Sequence, residues 1–86
     1  MEITEAEAIE IAGDAEGDIV AEEMNDETDS SVVLRKFPSR FVLGASCDAT
    51  DTYKFYVFDD LEAAQVHFDQ LAETMRSTGT PFGAAS

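Results

Sequence analysis

Apolar residues change their period twice along the chain, dividing it into a helical start, a strand-rich middle and a helical end. Near the start, Ala6, Ala8, Ile9, Ile11 and Ala12 recur at helical spacing, and Thr4 precedes Glu7 by three residues. That spacing fits a capping box, in which the Thr hydroxyl and the Glu carboxylate each satisfy an orphan backbone donor. A helix is therefore predicted from Thr4, with Gly13 followed by Asp14 as its first stop signal. Ile19, Val20 and Met24 form a second apolar patch, so residues 15–25 read as a second short helix or a bent continuation of the first. The polar run from Asn25 to Ser31 reads as a connecting loop.

In the middle, Val32 to Phe37, Arg40 to Cys47 and Thr52 to Phe58 are rich in β-branched and aromatic residues and are separated by turn-formers. Three antiparallel strands follow, joined by short turns at Phe37-Pro38-Ser39-Arg40 and Asp48-Ala49-Thr50-Asp51. Alternation puts Phe41, Leu43, Ala45 and Cys47 on one face of the second strand, and Tyr53, Phe55 and Val57 on one face of the third. These faces are expected to be buried, leaving Arg40, Ser46, Thr52, Lys54 and Tyr56 to look outward.

Asp59 or Asp60 can cap a last helix, in which Leu61, Ala64, Phe68, Leu71 and Met75 mark one apolar stripe. Gly79 and Pro81 end it. The fold class expected is α+β, in a single domain over residues 1–86. It comprises an acidic helical segment (1–29), a three-stranded antiparallel meander (32–58), a C-terminal amphipathic helix packed on the sheet (60–77) and a loose tail (80–86).

Charge changes this picture most. Residues 1–29 carry twelve carboxylates and no Lys or Arg, whereas residues 30–86 carry seven acids against five bases; the net charge is -14. A like-signed field on one segment attracts cations or basic protein surfaces and opposes direct binding to nucleic acid or an anionic membrane. A single cysteine excludes an internal disulfide framework and suits a reducing compartment. The opening MEITEAEAIE lacks the basic and apolar regions of a secretion signal, and no stretch approaches a membrane span. The chain is expected to be soluble and cytoplasmic.

Candidate chemistry is sparse. Asp14, Glu16 and Asp18 alternate like the first ligands of a calcium loop, but the sixth position is Ile19 where glycine is required, and the twelfth is Asn25 where a Glu is required. Cys47 reads as a buried small thiol and His67 as a boundary residue beside the last helix's stripe. No phosphate cradle or nucleophile elbow accompanies them, so no enzyme activity, metal or cofactor is expected. Arg35, Lys36 and Arg40 cluster around the first hairpin turn. They either pair with the acidic segment, holding it against the sheet, or contact a partner separately.

Rows of like charge on a helix cost a few tenths of a kcal/mol per pair, so their accumulation points to a use for the charge. Glu7 with Glu10, and Asp18 with Glu22, would form such rows at a spacing approaching that of phosphates along a nucleic-acid strand. Glu5, Glu7, Glu10, Asp14, Glu16, Asp18, Glu22, Glu23 and Asp26 are the candidate partner-binding residues, presented to Lys and Arg of a basic protein surface.

Together with the acidic helical N-terminus and three strands, the closing helix headed Tyr53-Lys54-Phe55-Tyr56-Val57-Phe58-Asp59-Asp60 resembles the small acidic phage-encoded anti-CRISPR proteins. Several of these imitate DNA and occupy the basic DNA-binding surface of a type I CRISPR surveillance complex, Cascade. The resemblance spans the whole chain without a diagnostic motif. It implies inhibition by occlusion, without catalysis, in the cytoplasm of an infected bacterial host. A different class of function, an acidic adaptor or immunity-type protein with a basic partner, shares the same charge.

Overall fold

A five-stranded antiparallel sheet carries one helix on each face in the computed structural model, which describes residues 2–13, 17–38 and 40–83. In chain order the elements are β1 (Glu2–Ile3), α1 (Glu5–Ala12), β2 (Asp18–Asn25), β3 (Ser30–Lys36), β4 (Phe41–Cys47), β5 (Thr52–Phe58) and α2 (Leu61–Thr78). The spatial order is β1-β5-β4-β3-β2. Strands β2 to β5 thus form a meander, and β1 returns beside β5. The broad α+β class holds, but the expected three-stranded sheet is corrected to five strands.

Both additional strands come from the segment expected to be helical. The capping box forms as the spacing predicts: the Glu7 N–H donates to Thr4 Oγ1 and the Thr4 N–H to Glu7 Oε1, both at 3.2 Å. Gly13 ends α1 with φ +57°, donating its N–H to the Ile9 carbonyl at 2.9 Å. Beyond it the chain becomes strand. Gly17 adopts φ +71°, and a Cβ there would lie 2.8 Å from Cε1 of Phe37, so the backbone enters β2 pressed against that ring. Ile19 and Val20 favour extended backbone. Pairing with β3 then supplies hydrogen bonds that a short, highly acidic helix could not match. The register skips between Ile19 and Ala21, a bulge at Val20, and continues Ala21↔Leu34, Glu22↔Val33, Glu23↔Val32.

The α2 face holds the main core. Val32, Leu34, Leu43 and Ala45 from the sheet pack with Ala64, Phe68, Ala72 and Met75 from the helix. Ala64 and Ala72 alternate with the larger Phe68 and Met75, which lets α2 lie close to the strands. Leu71 is half-buried and Leu61 is exposed, so the buried stripe is shifted by one residue from the predicted one at its centre. Asp60 is the N-cap of α2, accepting from the Glu62 N–H at 3.2 Å, and Gly79 closes it in the left-handed region at φ +90°.

Strand β5 reverses the expected sidedness. Leu43↔Tyr56 and Phe41↔Phe58 are paired in register, so Tyr56 and Phe58 share the α2 face, while Tyr53, Phe55 and Val57 point to the other side. Both faces of this strand are apolar because both face a helix. At the chain end Pro81 is buried, Phe82 packs against the core, and Lys54 Nζ sits 5.8 Å from its ring centre.

Candidate functional site

Because β1 and β2 occupy opposite edges, the N-terminal chain must cross the face that α2 leaves free. Four strand spacings make that distance roughly 19 Å. Eight residues of helix span only about 12 Å, so α1 covers part of the face. It packs over the β5 side, where Ala8 joins Phe37 and Val42, with Ile3, Ile11, Ala12 and Phe55 around them.

What α1 leaves open is an apolar groove of about 420 Å³. Two cross-strand rows run through it, with Phe55, Gly44, Val33, Tyr53, Ser46 and Ser31 in the floor and Ile3, Glu22 and Met24 at the row ends outside it. One crosses all five strands as Ile3, Phe55, Gly44, Val33 and Glu22; the other runs Tyr53, Ser46, Ser31 and Met24. Gly44 makes room at the centre: a Cβ there would come within 3.3 Å of the Phe55 ring. The Ser31 and Ser46 hydroxyls hydrogen-bond each other at 2.9 Å, which satisfies the polar atoms in the floor.

Around this groove large apolar side chains face solvent. Ile9 is 62% exposed, Met24 64%, Ile19 53% and Tyr53 52%. The rim is acidic. Glu5 lines the groove from α1, Glu22 stands beside Val33, and Asp48 accepts a hydrogen bond from the Tyr53 hydroxyl at 2.9 Å. That bond, with the Asp48 charge and more weakly those of Asp51 and Glu5, raises the Tyr53 pKa above its usual value. Arg35 is the one base among the described lining residues.

The candidate acids are not gathered on a single surface. Glu5, Glu7 and Glu10 are exposed on α1, with Glu7 also committed to the capping box. Glu7 and Glu10 border a second depression of about 340 Å³ with Ile3, Ile11, Arg40 and Val57. Asp18 and Glu22 are exposed on β2, where strand alternation across the bulge sends them to opposite faces, in place of the helical row expected. Asp26 is exposed in the turn after β2. Glu23 lies on the α2 side, where Arg76 binds it through two hydrogen bonds. Asp14 and Glu16, and with them the calcium-like alternation, lie outside the described residues.

Arg35 and Lys36 stand opposite Ile19 and Asp18 in the β2–β3 register, so two of the three clustered bases lie beside the acidic segment. Arg40 makes its ion pair with Asp59, after β5, at 3.8 Å. A cation that no feature of the sequence singles out, Arg76 of α2, also ties the acidic segment down through Glu23. Cys47 is fully buried at the end of β4, its thiol 4.0 Å from the Thr28 carbonyl, and the Ser30 and Thr50 hydroxyls lower its pKa. His67 stacks on Tyr56, ring centres 4.4 Å apart, and its burial there lowers its pKa. Among the described residues no three His, Cys, Asp or Glu side chains form a cluster able to hold a metal, and no helix is long and apolar enough to cross a membrane.

Met24, Ile9, Ile19, Val33 and Tyr53 are not among the residues that charge nominates. Their signal is nonetheless present, since three of them are large apolar residues in the most acidic part of the chain. In the sequence that signal reads only as a sign that the segment folds. Compared with protein-family models, curated proteins and solved structures, the chain matches none, so function has to be argued from the residues themselves.

Proposed function

We propose that the protein is a non-catalytic inhibitor that imitates nucleic-acid charge and occupies the basic DNA-binding surface of a CRISPR-Cas surveillance complex, with type I Cascade as the target. It would act in the cytoplasm of a bacterial host. The observation that carries this proposal is the exposure of Glu5, Glu7, Glu10, Asp18, Glu22 and Asp26 on a chain of net charge -14. Six carboxylates left in solvent on α1, β2 and the turn after it, on both faces of the sheet, add to the net negative field that steers a basic surface to the chain and repels DNA.

The decisive experiment is a gel shift of target DNA by purified type I surveillance complex, with the protein added before or after the DNA. Occlusion predicts loss of the shifted band only on prior addition. An unchanged band under both orders overturns it.

A second function, an acidic adaptor or immunity-type protein with a basic protein partner, is favoured by one observation: the exposed apolar groove has no counterpart on a phosphate backbone. An adaptor binds alongside DNA, so the shifted band would persist and migrate more slowly with the protein bound.

A further inference from the structure

We infer, on the strength of the basic-partner reading above, that the open half of the α1 face receives a cationic amphipathic helix of the partner protein, laid over β2, β3 and β4 beside α1. Coverage of the sheet is unequal. The 18-residue α2 spans one face, whereas the 8-residue α1 leaves the groove and its flanking Met24 and Ile19 uncovered on the other.

The dimensions select a helix. Two strand spacings from β2 to β4 make roughly 10 Å, about the diameter of one α-helix with its side chains. The strands beneath are seven or eight residues long; Phe37 and Val42 at one end are buried against Ala8, and the remaining length of roughly 17 Å seats about three turns of helix. Addition of a partner strand along β2 fits less well, because the bulge at Val20 interrupts that edge.

Charge selects its composition. A groove with Val33 and Phe55 in its floor and Ile9 on its α1 wall is bordered by Glu5, Glu22 and Asp48 against one lining base, Arg35, on a chain of net charge -14. A helix with an apolar stripe flanked by Lys or Arg complements floor and rim together. A second copy of this chain would bring its own fourteen net negative charges to the same surface, and DNA offers nothing to the apolar centre.

The test uses two labelled peptides, each long enough for about three helical turns, with identical Leu and Lys composition. One places Leu at helical spacings of three and four, and the other is scrambled. Binding to the whole chain is followed by fluorescence anisotropy and by amide chemical shifts. The amphipathic peptide is expected to bind one-to-one and about tenfold more tightly than the scrambled one, shifting the amides of Met24, Val33, Gly44 and Ser46 but not that of Ala72 beneath α2.

Met24→Glu and Met24→Gln are expected to weaken that peptide to the level of the scrambled one at unchanged melting temperature. The Glu variant separates the mechanisms by sign, since attraction by charge alone would make it bind more tightly. Equal affinity for both peptides overturns the groove while leaving charge-driven partner binding intact. Failure of both peptides to bind overturns the two together. Self-association of the free protein with shifts at the same amides overturns the helix in favour of a second copy.

Discussion

Arg76 grips Glu23 across 53 residues of sequence, Nε to Oε2 at 2.8 Å and Nη2 to Oε1 at 2.7 Å. The bidentate geometry ties α2 to the edge strand β2 and takes one carboxylate out of the set available to a partner. Its immediate neighbour Glu22 stands on the opposite face and is free to serve the rim.

Two adjacent charge reversals should therefore behave differently. Glu22→Lys is expected to leave the urea midpoint nearly unchanged, whereas Glu23→Lys sets like charges together at Arg76 and lowers it. The gap between them should narrow at about 1 M salt, where screening is almost complete at these distances. Equal midpoints at low salt would place Glu23 on the free surface.

Core position sets the cost of truncation. Leu43 is fully buried between α2 and the sheet, and Leu43→Ala is expected to destabilise by about 2–5 kcal/mol through the cavity it leaves. Leu71 is half-buried and should cost less on the same denaturation curve. A larger loss at Leu71 would contradict the packing of α2.

Gly17→Ala is expected to cost at least about 1–2 kcal/mol, the penalty of a left-handed residue with a Cβ, on top of its clash with Phe37. The backbone there has φ +71°, and the added Cβ would sit 2.8 Å from the ring. Gly13 pairs φ +57° with ψ -128°, a conformation open almost only to glycine. Gly13→Ala should therefore lower the thermal melt by backbone strain alone, with no neighbour within 4 Å. An unchanged melt for Gly17→Ala would mean that the Phe37 ring moves aside and the backbone tolerates a Cβ.

His67 gives the stability a pH dependence of known sign. Burial against Tyr56 and Phe58 lowers its pKa in the folded state, while the unfolded chain titrates near about 6.5. Below that value the unfolded state binds the proton first, so this contribution is complete above it and is lost as pH falls toward the lower folded value. Wild type should lose stability relative to His67→Phe on acidification through this window. Parallel stability-against-pH curves would mean the imidazole is not buried.

On the partner side, Glu5→Lys with Glu22→Lys is expected to slow association more than Glu7→Lys with Glu10→Lys, because only the first pair flanks the groove. Stopped-flow association with the purified surveillance complex measures this directly, and rim charges act mainly on that rate. Equal effects would show that charge is used without regard to the groove.

What is legible in the chain before folding is what local chemistry decides. Thr4 with Glu7, Gly13, Asp60 and Gly79 act within a few residues, and each marks the helix end expected of it, or lies within one residue of it. Strands β3 to β5 are legible from β-branched and aromatic content bounded by turns. Strand β2 is not, because two adjacent Glu residues weaken any strand signal and its hydrogen bonds come from β3. The sidedness of β5 is hidden for a related reason: Tyr53 to Phe58 is apolar on both faces, and only the register with β4 assigns them. The groove is illegible because it is a difference in length between two helices on opposite faces of a sheet that is wider than the strand signals suggest.

The return of β1 to the edge of β5 has a consequence for how the molecule folds and opens. Consecutive hairpins from β2 to β5, followed by α2, can assemble by closing short loops in turn. Residues 2–13, held by two paired strand residues and the apolar side of α1, are then expected to add last. Their amides should exchange before those beneath α2. An opening there would uncover Phe55 and Val42 while leaving the meander intact, so the width of the groove is governed by the least tethered part of the chain.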